Sequence, residues 1–317
     1  MTIVRLVISR IMLSALTLLL VSVLIFVILE ALPGDVATRI LGRDATAKAL
    51  EVLRAQLHLG DPPFSRYLHW LGDLLQGNLG VSIATGRPIA DVLGPRIINT
   101  LLLSLLAFAL YLVLAIVPAV IQATRRGSKV DHIISVVTLV LLSLPDFLLA
   151  TILLFIFAVA MPILPALATV SDASTWLDNL RAMILPAVTL AIIMAVYAIR
   201  VLRDSLIEVL RSDYVRLAEL KGLRPHAVLW RHAMPNAIVP ALNITALNLG
   251  FLIGGVVIVE RVFSYPGFGT LLIDALQLRD LPLIKATVMI SAAVYIAANL
   301  VADIGAVLLQ PRLRTTR

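Results

Sequence analysis

The sequence predicts an all-α membrane protein with about six transmembrane helices. Three observations predict this class: 60% of the 317 residues are hydrophobic, the mean hydropathy is +1.01, and only 14% of the residues are charged. A soluble domain of this length cannot bury so much apolar surface. Because a run of about 20 apolar residues crosses the ~30 Å hydrocarbon core of a bilayer, the long apolar runs are interpreted as membrane spans.

Six apolar runs define the predicted spans. The first follows Arg5 and Arg10 and is too long for the apolar core of a signal peptide, so we expect it to remain as a span. The chain then divides into a tail with a first helix (1–32), an external segment (33–97) and a five-helix core (98–317). The predicted spans cover residues 9–32, 98–123, 133–160, 183–199, 238–259 and 283–309.

The positions of Lys and Arg predict the orientation in the membrane. The side that holds both termini carries 15 of the 26 Lys and Arg residues, seven of them in the loop 200–236. The other side carries 11, but seven of these lie in the long external segment, where the positive-inside rule has little force. We therefore expect both termini in the cytoplasm. Solvated basic loops explain the net charge of +7 without nucleic acid.

Two short amphipathic helices are predicted in the external segment. Asp44 is positioned to cap the first helix and Gly60 to end it. The apolar face of this helix holds Leu50, Leu53 and Leu57. We expect the two helices either to cover the outer ends of the spans or to form a docking surface for an external soluble protein. A second stripe at helical spacing, with aromatic residues typical of membrane interfaces, consists of Tyr67, Trp70, Leu71, Leu74 and Leu75.

The loop 204–236, between the fourth and fifth spans, carries the most informative pattern. Ser212, or the aspartate after it, is positioned to cap a helix, and Gly222 permits the left-handed turn that ends this helix. Pro225 then opens a second helix, which Pro235 is expected to close. The pattern predicts a rigid helix–turn–helix elbow.

The predicted elbow has an apolar side and a polar side. Leu217, Leu220 and Leu223 give the apolar side, which we expect to enter a groove on a partner and to transmit motion. The polar side consists of Arg216, Glu219, Lys221, Arg224 and Arg231.

The elbow resembles the EAA loop of ABC-importer permeases. Ala218 is followed four residues later by Gly222, and Pro235 ends the segment, all in register with the family pattern. The family pattern has Glu-Ala-Ala at the positions that Arg216, Leu217 and Ala218 occupy in this sequence. Permeases of the peptide class often depart from the pattern in a similar way.

Three further segments extend the resemblance to the dipeptide/oligopeptide permease family. They are residues 32–35 (LPGD), 77–82 (GNLGVS) and 263–269 (FSYPGFG), and Asn78 stands where the family more usually has Asp. The order of these segments along the chain matches the family. The resemblance implies a permease subunit of a bacterial ABC importer, with the type I permease fold, in the inner membrane.

The resemblance also implies partners. They are a second, homologous permease, two cytoplasmic ATPase subunits that bind ATP and Mg, and an external substrate-binding protein. The sequence has no G-x-x-x-x-G-K phosphate loop, no cysteine and no metal-ligand spacing among its five histidines. We therefore expect a non-catalytic subunit without its own metal or cofactor. Contact with the ATPases would come from the loop 212–235, at Arg216, Leu217, Ala218, Gly222, His232 and Pro235.

Asp146 is the one acidic residue in the middle of a predicted span. A carboxylate at the centre of a spanning helix costs roughly 2.5–3.5 kcal/mol on insertion scales, so we do not expect it to face lipid. Either it lines the translocation pathway, where it meets the cationic amino group of the substrate, or it makes an interhelical contact. Asp303, near Asn299 in the last span, is expected to have a structural role.

Two other functions are compatible with parts of the sequence. A secondary transporter would need inverted repeats and intramembrane ion ligands, and a membrane scaffold would leave the loop 204–236 without a purpose. Within the importer class the substrate stays open between dipeptides, longer peptides, glutathione, and nickel or sugar-related ligands.

Overall fold

The structure, a computed structural model, describes residues 3–31, 46–56, 60–169 and 175–309. Apart from loops and one isolated bridge between Val81 and Pro88, these residues are helical. The predicted segment 32–35, Asp44 and Leu57 lie outside the described residues. The helices are α1 (Ile3–Ala31), α2 (Ala47–Gln56), α3 (Pro63–Leu75), α4 (Ile89–Thr124), α5 (Lys129–Ser143), α6 (Asp146–Leu154), α7 (Trp176–Leu210), α8 (Asp213–Leu220), α9 (Pro225–Ala227), α10 (Met234–Val262), α11 (Phe268–Gln277) and α12 (Leu281–Leu309).

The helices confirm an all-α membrane fold. Among the described residues four helices are long and apolar enough to cross a membrane, and α5 with α6 makes a fifth if this bent pair is one span. The helix α10, 29 residues long, covers the predicted span 238–259. The number of six crossings and the cytoplasmic termini stay predictions. The four apolar stretches are Ile8–Ala31, Ile89–Thr124, Trp176–Leu210 and Leu281–Leu300.

Two helices extend well beyond their predicted spans. α4 begins at Ile89 rather than near residue 98, and α7 has 35 residues where the prediction gave 183–199. Hydropathy identifies only the residues that favour a lipid environment. An α-helix can continue beyond them, because its backbone hydrogen bonds also form in neighbouring polar sequence. The start of α7 is set by Thr175, whose hydroxyl accepts a 3.2 Å hydrogen bond from the Asp178 N–H.

The predicted span 133–160 is sharply bent. α5 and α6 meet at an angle of 111°. The cause is Pro145, which has no N–H and holds the preceding Leu144 in an extended conformation (ψ 133°). Asp146 is therefore the first residue of α6 and does not lie in mid-helix. α6 continues into a π turn, Phe155–Ala160.

The described residues group into two compact units. The first consists of the described residues up to Ile98 and of Gly267–Leu300. Within it α3 packs on α1: the rings of Phe26 and Tyr67 lie 5.4 Å apart. The Lys285 ammonium lies 5.1 Å from the centre of the Phe26 ring, a cation–π contact. Of the predicted apolar stripe of α3, Tyr67, Trp70 and Leu74 pack within this unit, whereas Leu75 is 80% exposed.

The second unit consists of the described residues between Asn99 and Pro266 and of those from Val301 onward. α7 packs along α10, and small and apolar residues of α4 and α7 fill the core. Two polar links cross this packing. The Asn248 amide donates a 3.0 Å hydrogen bond to the Met194 carbonyl, and the hydroxyls of Tyr111 and Thr245 lie 2.7 Å apart.

Candidate functional site

The loop between α7 and α10 contains the glycine turn that the sequence predicts. Gly222 has φ +75°, a conformation that glycine adopts at low cost, and its N–H donates a 2.9 Å hydrogen bond to the Glu219 carbonyl. The predicted cap at the start of α8 is only partly right. Ser212 has the extended conformation of a cap, but its hydroxyl donates to the Val209 carbonyl instead of accepting from α8.

The second half of the loop continues into the next span. Pro225 opens α9 as predicted, and a π turn, Val228–Ala233, then leads directly into α10. Pro235 therefore does not close the second helix, and this prediction was wrong. Pro235 directly follows the π turn, within a helical run that continues from Pro225 to Val262.

The inner side of the loop is a small apolar cluster. Val215 and Ala218 of α8 pack against Val228 and Ala233 of the π turn, and all four are buried. Since two helical segments share this cluster, α8 is fixed on the π turn and hence on the start of α10. The cluster supports the predicted rigidity of the elbow.

Polar contacts also join α8 to the π turn. The Asn236 amide donates a 2.9 Å hydrogen bond to the Tyr214 hydroxyl, and this hydroxyl lies 3.5 Å from the His232 carbonyl. The Asn236 amide also lies 3.4 Å from the same carbonyl. His232 thus contributes its backbone oxygen to the link between the two segments.

The outer side of the loop is apolar and exposed. Leu217, Leu220 and Leu223 expose 57%, 77% and 41% of their surface, and none of the three belongs to the buried cluster. The sequence analysis missed Tyr214 and Trp230, which are also more than 40% exposed. Of the six residues predicted to contact a partner, Arg216, Leu217, Gly222 and Pro235 are exposed, His232 is half-buried and Ala218 is buried.

Asp146 lies in the bend between α5 and α6. It is half-buried and starts a helix, a position that favours a carboxylate because the helix N-terminus carries partial positive charge. The helix α6 packs against α7 and α10. No hydrogen bond or ion pair joins Asp146 to the loop in the described part of the chain, so the structure does not gather all predicted site residues into one place.

The FSYPGFG segment is held by a buried network that the sequence analysis missed. The Tyr265 hydroxyl donates a 2.8 Å hydrogen bond to the Asn99 carbonyl, and the Asn99 amide donates to the Pro266 carbonyl at 2.9 Å. The Tyr265 N–H donates to the Glu260 carbonyl, and Thr100 donates to the Glu260 carboxylate. Burial raises the pKa of the Tyr265 hydroxyl above its ordinary range.

The GNLGVS segment ends in a second buried network, within the first unit. The Ser82 hydroxyl and the Ala84 N–H both donate to the Asp280 carboxylate. The same carboxylate accepts a 3.2 Å hydrogen bond from the Leu283 N–H and so caps α12. The sequence analysis missed Asp280, although an aspartate two residues before Pro282 is a typical helix start.

Two protein families match the chain. Residues 111–315 match the family described as binding-protein-dependent transport system inner membrane component. Residues 3–95 match the N-terminal part of a binding-protein-dependent transport system membrane component. Together the two matches cover both the long external segment and the loop between α7 and α10.

Curated relatives align along almost the whole chain. A probable peptide ABC transporter permease protein of Sinorhizobium fredii is 36% identical over 93% of this chain and 94% of its own length. The glutathione transport system permease protein GsiC of Escherichia coli is 34% identical, and that of Shigella flexneri 33% identical, each over 94% of this chain and 95% of its own length. The chain therefore belongs to the binding-protein-dependent transport system inner membrane components and is a multi-pass, inner-membrane permease of the ABC importer kind with the type I permease fold.

Proposed function

We propose that this permease translocates short peptides, of the dipeptide/oligopeptide class, by alternating access. Two observations on relatives support the substrate class: one is named as a probable peptide permease and others as glutathione permeases, and glutathione is itself a tripeptide. In this proposal the chain works with a second, homologous permease and receives its substrate from an external binding protein.

The exposed apolar side of the loop carries the proposed coupling to ATPase subunits. Leu217 and Leu220 are more than half exposed, yet the segment that presents them is fixed by the buried cluster behind it. A rigid, exposed patch of large apolar residues is typical of a surface that a partner covers. We assign this patch to two cytoplasmic ATPase subunits, one for each permease, which supply the ATP and Mg sites that this chain lacks in its sequence.

The continuity of the loop with α10 suggests how motion passes into the membrane. The π turn leads into α10 without a break, and α10 packs along α7. A displacement of α8 by closing ATPases would therefore move the cytoplasmic end of α10 with it. Such a rigid lever is what alternating access requires, since the pathway has to open on one side as it closes on the other.

Asp146 is our candidate residue for the pathway. A carboxylate at a bend in a spanning segment, half-buried and next to helices α7 and α10, suits a contact with the cationic amino group of a peptide. The alternative, a contact between helices, predicts loss of assembly when the carboxylate is removed. Transport and assembly measured together on Asp146→Ala separate the two roles.

The coupling proposal is tested by the ATPase activity of the purified complex in lipid, with and without its binding protein. We compare the wild type with Gly222→Asp. The matched control is Gly127→Asp, because Gly127 has φ +76° and the same open space around it but lies in another turn. We expect Gly222→Asp to abolish stimulated hydrolysis while all subunits co-purify and the control to retain stimulation. Unchanged stimulation in Gly222→Asp would overturn the coupling assignment.

A further inference from the structure

The helix α3 has an exposed apolar face in addition to the face that packs on α1. Phe64, Leu68 and Leu75 form the exposed face, and 72%, 48% and 80% of their surface is accessible. Their spacing of four and seven residues places them along one side of the helix. Tyr67 and Trp70, which belong to the packing face, lie roughly 100° away around the helix axis. A row of large exposed apolar residues indicates a surface that lipid or another molecule covers.

A third face of α3 is polar. His69 and Asp73 lie there, and both are exposed. The helix therefore presents one side to the rest of the protein, one exposed side that is apolar and one exposed side that is polar. A helix with this division is typical of the boundary between acyl chains and headgroups, where its apolar side lies roughly 5–10 Å deep.

The contacts of α3 with α1 define its depth relative to a membrane span. The hydroxyls of Tyr67 and Ser22 lie 2.9 Å apart, and the centres of the Tyr67 and Phe26 rings lie 5.4 Å apart. The apolar stretch of α1 ends at Ala31. Phe26 is five residues before this end, which corresponds to about 7 Å at the rise of an α-helix. The helix α3 therefore lies beside the apolar stretch of α1 and not beyond its end.

The helix α12 gives a second, independent measure of this depth. The Lys285 ammonium lies 5.1 Å from the centre of the Phe26 ring and 5.4 Å from the centre of the Trp70 ring. The apolar stretch of α12 begins at Leu281, so Lys285 is four residues, or about 6 Å, inside it. The two spans thus place the contact with α3 at nearly the same depth, which falls within the range for a helix at the membrane interface.

Acyl chains are the surrounding medium at this depth. Leu24, Val27 and Ile28 of α1 lie near the level of Phe26 and are 59%, 54% and 51% exposed. On a spanning helix, exposed apolar residues contact lipid. A soluble protein docks on the polar surface above the headgroups and would have to displace lipid to reach Phe64. Lipid is therefore favoured over a soluble partner as the occupant of the exposed apolar face of α3.

We propose that α3 is embedded in the bilayer interface at the C-terminal end of α1. Phe64, Leu68 and Leu75 lie among the acyl chains, while His69 and Asp73 face water. This location does not depend on which side of the membrane contains the termini, because α1 and α12 themselves define the depth. The exposed apolar face of α3 is then closed to a soluble binding protein.

The test measures which solvent surrounds single positions of α3. The chain has no cysteine, so a nitroxide label on one introduced cysteine reports one position of this subunit. Labels are placed by Phe64→Cys, Leu68→Cys and, as the matched control on the polar face, His69→Cys. The complex, with its other subunits made free of cysteine, is reconstituted in liposomes. Electron paramagnetic resonance then measures how often each label collides with oxygen, which concentrates among acyl chains, and with a nickel chelate, which stays in water.

We expect oxygen collisions to exceed chelate collisions at Phe64→Cys and Leu68→Cys, and the order to reverse at His69→Cys. Val27→Cys, at an exposed apolar position of α1, is the reference for contact with lipid and should show the same order as Phe64→Cys. Addition of the binding protein should leave the oxygen collisions at Phe64→Cys and Leu68→Cys unchanged.

Three results would overturn this assignment. Chelate collisions above oxygen collisions at Phe64→Cys and Leu68→Cys would place the apolar face in water. Low rates for both reagents would show that protein covers this face, either the second permease or another part of this chain. A loss of oxygen collisions when the binding protein is added would identify the face as its docking surface.

Discussion

The Ser82 hydroxyl donates a 2.6 Å hydrogen bond to the Asp280 carboxylate, although 198 positions separate the two residues in the chain. Both side chains are buried. The carboxylate also accepts from the N–H groups of Ala84 and Leu283. One side chain therefore anchors the end of the GNLGVS segment and caps α12.

Replacing Asp280 with Ala should lower the stability of the complex by about 2–4 kcal/mol. The estimate combines a lost helix cap, roughly 1 kcal/mol, with buried donors left without an acceptor, about 1–3 kcal/mol. Ser82→Ala should cost about 1 kcal/mol, because only one of the three donors is removed. Thermal unfolding in detergent checks both values. The double variant should cost clearly less than the two single effects added, and strict additivity would contradict the proposed coupling.

The ion pair between Asp131 and Arg203 predicts an asymmetry between its two partners. Arg203→Met leaves a buried carboxylate without its cation and should cost about 3–5 kcal/mol. Asp131→Asn keeps an acceptor for the Gly127 N–H and leaves Arg203 with Asp204, so it should cost about half as much. The double variant should be more stable than Arg203→Met alone. Unfolding by heat measures all three, and a double variant that is less stable than Arg203→Met would argue against this asymmetry.

The two sides of the loop predict different effects of substitution. Leu220→Asp changes a residue that is 77% exposed, so the complex should remain stable while binding protein no longer stimulates ATP hydrolysis. Ala218→Leu places a larger side chain in the buried cluster and should lower stability by about 1–3 kcal/mol. Thermal unfolding and ATPase activity are measured on the same preparations. Retained stimulation in Leu220→Asp would exclude the apolar side as the partner surface.

Removing the carboxylate of Asp146 should impair transport and spare assembly. We expect Asp146→Ala to reduce uptake of a labelled dipeptide in proteoliposomes about tenfold or more, because the substrate loses its counter-charge. Asp146→Glu retains the charge and should keep a substantial part of the activity. Co-purification of the other subunits is the control. If the complex with Asp146→Ala no longer assembles, Asp146 has a structural role.

Tyr265→Phe should cost about 1 kcal/mol, because the ring still fills its buried space and only the hydrogen bond to the Asn99 carbonyl is lost. Tyr265→Ala should cost about 3–5 kcal/mol through the cavity it leaves.

Burial raises the pKa of the Tyr265 hydroxyl, so the folded state disfavours its ionised form. The stability that Tyr265 contributes is therefore present in full below the pKa of an unfolded tyrosine, about 10, and declines at higher pH. The unfolding free energies of the wild type and of Tyr265→Phe should differ by a constant amount between about pH 7 and 9.

Those features of the fold that depend on the type of a single residue could be predicted from the sequence. The φ of Gly222 and the helix start at Pro225 depend on the residue itself, so the sequence is sufficient to predict them. The course of the chain at Pro235 was not predictable in this way. Pro235 follows a π turn inside a continuous helical run, and a π turn has no simple sequence pattern.

The longer-range features could not be read from the sequence. The pairing of Ser82 with Asp280 and of Asp131 with Arg203 depends on how distant helices pack, which motifs and local residue patterns do not show. Pro145 is the local cause of the bend between α5 and α6, but the angle of 111° depends on the neighbouring helices. Residues 77–82 and 263–269 were identified by their resemblance to segments of the permease family. The residues that hold these segments in place, Asp280 and Asn99, were not predicted.

The π turn Val228–Ala233 is a place where the loop could lose one residue without changing the direction of α8. A π turn holds one residue more than an α turn for nearly the same advance along the axis. Deleting one residue there would convert it to an α turn and leave α8 facing the same direction. Deleting one residue from α10 would instead rotate everything before it by about 100° around the helix axis. A one-residue deletion within this turn would therefore leave the exposed leucines of the loop on the same face.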